Sequence, residues 1–250
     1  MIVQGNAKDL PFADKSFDMV VTSPPYWGLR KYGHSPDEIG CGSLSEYLHD
    51  IFIVTEEIKR TLKDEGLFWL NIGDTASGSG GAGGDYNTHG KQSGRPKWKQ
   101  GESGLAKKQW CMIPARVALM LQETGWLLRS EITWDKERLR PESLDHVGRP
   151  GVSSEKIYMF AKQPKHVFYP KGLIEKGSVW HFPPVKKATN HLAPFPIDIP
   201  TRAIKCSTQP GDVVFDPFAG CGTTLRAAHQ TGRVGVGLDL YDYEVETEDG

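Results

Sequence analysis

The 250-residue sequence predicts a single α/β domain built on a doubly wound, mostly parallel sheet whose strand order is circularly permuted. Three observations carry this. Apolar periodicity switches repeatedly between two and 3.6 residues, the pattern of strands interleaved with helices. The run LFWLNI at 67–72 is apolar almost throughout and of strand length, as expected where helices cover both faces of a sheet. A strand, a tight glycine turn, a helix and a second strand follow one another in DVVFDPFAGCGTTLRAA and VGVGLDL, with only about ten residues after them. Such a unit ordinarily opens a doubly wound domain, so here the other strands must come from earlier in the chain.

The elements follow in order. FDMVV at 17–21 reads as a strand running into the turn Ser23-Pro24-Pro25-Tyr26-Trp27. Ser43 and Glu46 stand at capping-box spacing, and Leu44, Tyr47, Leu48, Ile51, Ile58 and Leu62 mark one helical face, which residues 63–66 end. Residues 73–104 hold ten glycines, too many for a regular element and the composition of a long functional loop. Residues 113–125 read as a helix, with Pro114 in its first turn and Gly125 just past its end. Strands are expected at 126–134 and 156–162, helices within 196–208 and 223–231, and strands at 212–216 and 234–240. Met112, Met120 and Met159 lie in apolar runs and are expected in the core. Residues 1–250 form one domain in this reading. Its irregular parts are a glycine-rich basic loop at 73–108 and the segments 135–154 and 163–194.

No apolar run approaches the roughly eighteen residues of a membrane span, and MIVQGNAKDL lacks a basic start followed by an apolar stretch. A soluble cytoplasmic protein without a membrane partner is expected. The four cysteines form no C-x-x-C pair and no histidine stands at zinc-ligand spacing from them, so reduced thiols and no metal are expected. The net charge of −1 conceals an uneven distribution, because residues 239–250 hold six acids and no Lys or Arg. Removing those six of 31 acids leaves 25 against 30 basic residues, a formal +5. Residues 91–108 carry six Lys or Arg against one Glu, with Trp98 between Lys97 and Lys99. Cations for phosphates beside a ring on which a base or sugar can stack suit a polyanion contact, and the same charge pattern also suits a solvated flexible loop.

In the late glycine turn, Gly220 and Gly222 allow the backbone to approach a ligand closely. No lysine follows as in a phosphate-gripping loop, and Leu225 stands where a dinucleotide fingerprint wants its third small residue. Asp239, at the end of the next strand, can accept both hydroxyls of a ribose. Together these suit an adenosine-containing ligand without a pyrophosphate. At the earlier turn, proline fixes φ and pushes the preceding residue toward extended geometry, holding Ser23 and the Pro24 carbonyl in a fixed relation. Two acceptors in a rigid frame suit an aromatic amine, whose lone pair is delocalised until the nitrogen is drawn toward tetrahedral geometry. Tyr26 offers a platform for a base swung out of its stack.

TSPPYW followed far downstream by DPFAGCGTT resembles the amino-methylating DNA methyltransferases that use S-adenosylmethionine, in the permuted group whose catalytic motif precedes the cofactor motif. LFWLNIGD, GWLLRSEITW, KIYMFAK, SVWHFP and APFPIDIP fall in that family's order, so the resemblance covers most of the chain and implies a Rossmann-like methyltransferase fold. It implies that Ser23, Pro24, Pro25 and Tyr26 bind and activate the target amine, with Trp27 in the pocket wall. Asp216, Phe218, Gly220 and Gly222 would cradle the methionine part of the cofactor, assisted by Thr223 or Thr224. Asp239 would take the ribose, while Phe195 and Pro196 would pack on the cofactor. Asn6 stands where the family often has Asp beside the adenine, and its amide can still bond that ring.

Ser23 in place of Asp or Asn resembles the cytosine-N4 enzymes. Adenine N6 is the alternative target, and a cofactor- and nucleic-acid-binding module without turnover is a second alternative. Ring-C5 methylation would need a Pro-Cys nucleophile, and the chain has no Pro-Cys pair. Protein glutamine methylation uses Asn-Pro-Pro-Tyr downstream of the glycine turn, so both order and residue argue against it. The resemblance implies that 1–250 is a single catalytic methyltransferase domain whose segments 135–154 and 163–194 serve target recognition; the expected partner is double-stranded DNA, gripped by Lys97, Trp98 and Lys99. A homodimer and a separately acting restriction endonuclease fit the same reading, in a bacterial, archaeal or phage setting.

Overall fold

A computed structural model describes residues 1–28, 35–78, 103–137, 148–174, 176–185 and 195–242. In chain order its elements are β1 (Ile2–Gln4), β2 (Phe17–Thr22), α1 (Leu44–Thr61), β3 (Leu62–Ile72), α2 (Ile113–Glu123), β4 (Leu127–Asp135) and β5 (Ser154–Ala161). They continue with β6 (Val179–His181), α3 (Asp198–Ser207), β7 (Val213–Asp216), α4 (Thr223–Gln230) and β8 (Val234–Asp239). Among the described residues the strands make one sheet in the order β1-β8-β7-β2-β3-β5-β4-β6. Every neighbouring pair is parallel except those made by β5, which runs antiparallel to both β3 and β4. The permuted order is explicit: β7, α4 and β8 come last in the chain, yet β8 pairs with β1 and β7 with β2.

The near-continuous apolar strands are buried on both faces. Along β3, Phe68, Leu70 and Ile72 join a core under α1 and α2, while Leu67 and Trp69 join a second core under α3 and α4. This is the alternation that a two-sided sheet imposes on successive side chains. Helix α1 begins with the expected capping box: Ser43 Oγ accepts from the Glu46 amide while Glu46 Oε2 accepts from the Ser43 amide at 2.7 Å. Leu62, read as the last residue of the helical face, instead caps α1 and opens β3. Phe17 pairs with Leu62 but Met19 with Leu67, so residues 63–66 bulge within the strand rather than preceding it.

Two strands fall where the sequence offered no periodic signal. β1 is only three residues long, and β6 lies inside the segment 163–194 expected to be irregular, where Trp180 is buried between exposed Val179 and His181. Met112, expected in the core, is half exposed in the left-handed conformation that leads into α2, whereas Met159 is buried and Met120 partly so.

The dinucleotide fingerprint's third glycine, occupied here by Leu225, has its counterpart on the facing strand. A Cβ on Gly235 would stand 2.9 Å from Leu225 Cα, and one on Gly237 would stand 2.6 Å from Ala219 Cβ. Close helix–strand packing is thus achieved with the glycines on β8. Because the neighbour of Gly235 is main chain, Gly235→Ala is expected to destabilise the fold by about 1–3 kcal/mol, read as a lowered urea midpoint at unchanged slope.

Candidate active site

Five parallel strands, β1, β8, β7, β2 and β3, end on the same side of the sheet. The chain steps outward from β2 to β3 in one direction and from β7 to β8 in the other. The crevice at this switch between β2 and β7 is where open α/β sheets bind ligands. Thr22 closes β2 and Asp216 closes β7, and Thr22 Oγ1 donates to Asp216 Oδ1 at 2.5 Å. The same oxygen accepts the Phe218 amide at 3.0 Å, and Oδ2 accepts Thr224 Oγ1 from the first turn of α4 at 2.5 Å. One buried carboxylate therefore fixes both strand ends, the glycine turn and the helix start. Ser23 follows Thr22 directly, which brings the proline corner to the rim of the glycine turn.

Within that turn, Gly220 has φ +49° and Gly222 φ +80°, conformations that favour glycine. Among the described residues, its chain neighbours aside, a Cβ on Gly220 would meet no atom within 4 Å, so that side of its main chain is open. Its amide donates to Asp239 Oδ2 at 2.8 Å, and Tyr241 donates its amide to Oδ1 at 3.2 Å. Burial pushes the Asp239 carboxyl up while these amides and that of Leu240 hold it down. Gly5 donates its amide to the Asp239 carbonyl at 2.8 Å, which sets Asn6 beside the acid; Asn6 Oδ1 accepts the Lys8 amide at 2.9 Å. Thr223 is buried, and its hydroxyl lies 3.5 Å from Cys221 Sγ. Phe218 packs on the first core. Phe195 packs on the second, and buried Pro196 precedes α3.

At the corner, Pro24 is buried while Ser23, Pro25 and Tyr26 are half-buried. Trp27 is buried in the first core, its indole donating to the Gly42 carbonyl at 3.0 Å. The Tyr26 ring occupies the space a side chain at Gly73 would need: a Cβ there would come within 2.4 Å of Cε2. Its hydroxyl donates to Glu155 Oε2 at 2.7 Å, with Asn71 Oδ1 at 3.3 Å, and Ser23 Oγ donates to it at 3.5 Å. Glu155 in turn is paired through Oε1 with Lys136, whose ammonium lies 4.9 Å from the Trp134 ring centroid. Because β5 is antiparallel, its first residues reach the side on which the parallel strands end, and Lys136 stands just past the end of β4.

The structure thus gathers Ser23, Pro24, Pro25, Tyr26, Asp216, Phe218, Gly220, Gly222, Thr223, Thr224, Asp239 and Asn6 at one edge of the sheet. Lys97, Trp98 and Lys99 lie outside the described residues. Sequence reasoning missed Thr22, Asn71, Gly73, Lys136 and Glu155. The available signals were faint: Asn71 is the one polar residue in LFWLNI, and Glu155 immediately precedes KIYMFAK. Among the described residues no group of three acids, cysteines or histidines is placed to hold a metal. Among the described residues no disulfide joins the four cysteines, and no described helix is long and apolar enough to cross a membrane.

Burial pushes the Asp216 carboxyl up to about 6 against the donors that surround it. An unfolded Asp titrates near 4, so the folded chain holds the extra proton between these values. The contribution of this group is most favourable below about pH 4 and is lost as pH rises through 6. Relative to Asp216→Asn, the wild-type unfolding free energy is expected to fall by about 2–3 kcal/mol between pH 4 and pH 7, measured by urea titration at both. A gap independent of pH would contradict this.

A DNA methylase family model covering N6 and N4 amino-methyltransferases matches residues 17–248. The chain is 33% identical to the Type II methyltransferase M.SmaI of Serratia marcescens over 96% of its length and 86% of that protein's. It is 39% identical to the Type II methyltransferase M.XycI of Xanthomonas campestris pv. cyanopsidis, over 88% and 76%. Among solved structures, the cytosine-N4-specific PvuII DNA methyltransferase shares the fold at a TM-score of 0.71 and 19% identity, over 96% of this chain and 81% of that one. A Thermus thermophilus protein described as a DNA modification methylase, solved with S-adenosyl-L-methionine, matches at 0.63 and 25% identity, over 96% and 87%. With the proline corner, the glycine turn and the permuted order all in place, the chain belongs to the N6/N4 DNA methylase family of S-adenosylmethionine-dependent amino-methyltransferases.

Proposed function

We propose that this protein methylates the exocyclic N4 amine of a cytosine swung out of duplex DNA. The observation that carries the reading is the Thr22–Asp216 hydrogen bond, which sets an amine-holding corner and an adenosine-holding turn on adjoining strand ends. Ser23 Oγ and the Pro24 carbonyl accept the two amine hydrogens and draw the nitrogen toward tetrahedral geometry, which frees its lone pair. Tyr26, packed against Gly73, stacks on the base. When bound, S-adenosylmethionine supplies an electrophilic methyl group on a sulfonium. Gly220 lets the main chain approach the cofactor, and the unused lone pairs of Asp239 take ribose hydroxyls beside Asn6. Asp216, with both oxygens engaged inside the protein, shapes the turn. Phe195, Pro196, Thr223 and Trp27 complete the walls.

The serine at position 23 favours cytosine over adenine, whose enzymes mostly carry Asp-Pro-Pro-Tyr. The Type II designation of M.SmaI and M.XycI supports a role in restriction-modification, acting on cytoplasmic DNA beside a separate endonuclease. The expected result of incubation with unmodified DNA and cofactor, followed by digestion to nucleosides and mass spectrometry, is N4-methylcytosine. N6-methyladenine would move the target to adenine, and unmodified nucleosides would favour a binding module. Replacing Ser23 by Ala is expected to abolish transfer while cofactor affinity stays within about twofold, since the cofactor turn lies across the crevice.

Lys97, Trp98 and Lys99 are proposed to grip the duplex. Their combined replacement by alanine is expected to weaken DNA binding and flatten its salt dependence by about two cations' worth of counterion release. Unchanged affinity and slope would remove this segment from the interface.

A further inference from the structure

Resting on the reading of Ser23 as an amine acceptor, we infer that Glu155 is a positioning residue: acting through Tyr26, it turns the lone pairs of Ser23 toward the target amine. A hydroxyl has one hydrogen and two acceptor sites. For Ser23 to accept from an amine, its own hydrogen must be committed elsewhere, and nothing in serine itself dictates that.

The surroundings of Tyr26 dictate it. An ionised carboxylate only accepts, and Glu155 Oε2 lies 2.7 Å from the phenol oxygen. The amide of Asn71 is fixed by its Nδ2 donating to Glu155 Oε2 at 3.3 Å and to the Lys156 carbonyl at 3.2 Å, which turns its own oxygen to the phenol. Two acceptors thus face the single phenolic hydrogen. The phenol's remaining capacity is as an acceptor, and Ser23 Oγ is its donor at 3.5 Å. That link is the longest of the chain, as catalytic hydrogen bonds commonly are before substrate binds. Lys136 pairs with Oε1 and compensates the buried negative charge, leaving Oε2 to the phenol. Burial and the Glu155 charge keep the phenol protonated well above the ordinary tyrosine range.

Glu155→Gln tests the direction of this chain, because an amide can donate to Tyr26 and reverse both links. Under single-turnover conditions with saturating DNA and cofactor, Glu155→Gln and Tyr26→Phe are each expected to slow methyl transfer about 10- to 100-fold. Dissociation constants for cofactor and DNA should stay within about twofold. The double variant is expected to be no slower than the slower single one, since both break the same relay. Effects that multiply, a loss confined to binding, or a wild-type rate in either variant would overturn the inference. If Glu155→Gln does not fold, a wild-type rate in Tyr26→Phe overturns it alone, and a slowed rate with intact binding supports it. Ser23→Ala separates the two claims: wild-type transfer there would overturn the amine-acceptor reading itself, whereas an inactive Ser23→Ala beside a fully active Glu155→Gln would overturn only the role of Glu155.

Discussion

The architecture of this site depends on one buried carboxylate. Asp216 accepts from Thr22, Phe218 and Thr224, three donors from three different pieces of the fold. An apolar side chain of equal volume would leave two hydroxyls and an amide buried without partners, each at a cost of about 1–3 kcal/mol. Two parallel strands meet side by side with nothing in the main-chain ladder to fix how their ends diverge. The carboxylate supplies that constraint, so the proline corner and the glycine turn cannot drift apart without breaking a bond shielded from water.

The second constraint is β5, the one reversed strand among the described residues. In an all-parallel sheet the residues opening β5 would lie at the far end, away from the crevice. Running antiparallel between β3 and β4, β5 delivers Glu155 to the edge where β2, β3 and β4 finish. One change of strand direction therefore places an anion beside Tyr26 and a cation, Lys136, beside that anion. Gly73 completes the arrangement from β3. With no Cβ it leaves the space that the Tyr26 ring fills, while Glu155 fixes the hydroxyl.

What could be read in the sequence was whatever is written locally. The capping box at Ser43, the glycine turn and the proline corner are short patterns whose chemistry is complete within a few residues, and each stands where it was expected. β1 and β6 escaped because three residues are too few for any periodicity, and both take their strand character from the neighbour they pair with. Glu155 and Lys136 escaped for a different reason. The Tyr26–Glu155 bond spans 129 positions and Asn71–Glu155 spans 84. Such pairings exist only once the strand order is known. The missing third glycine shows the same limit: close packing is a property of two surfaces, and here the small residues are on β8 rather than α4.

The Lys136–Glu155 pair itself bears on why this edge is polar at all. A buried ion pair is weak evidence for stability, because well-packed apolar residues of similar volume are often neutral or better. With side-chain exposures of 17% and 7%, this pair carries a desolvation cost that its mutual attraction only partly offsets. Stability alone would favour its replacement, whereas a hydroxyl chain with a defined direction needs an acceptor that cannot donate. A carboxylate meets that need, and an adjacent ammonium is the simplest group that balances its charge away from water. Lys136 is then explained by Glu155, Glu155 by the phenol of Tyr26, and the phenol by the lone pairs that Ser23 must present.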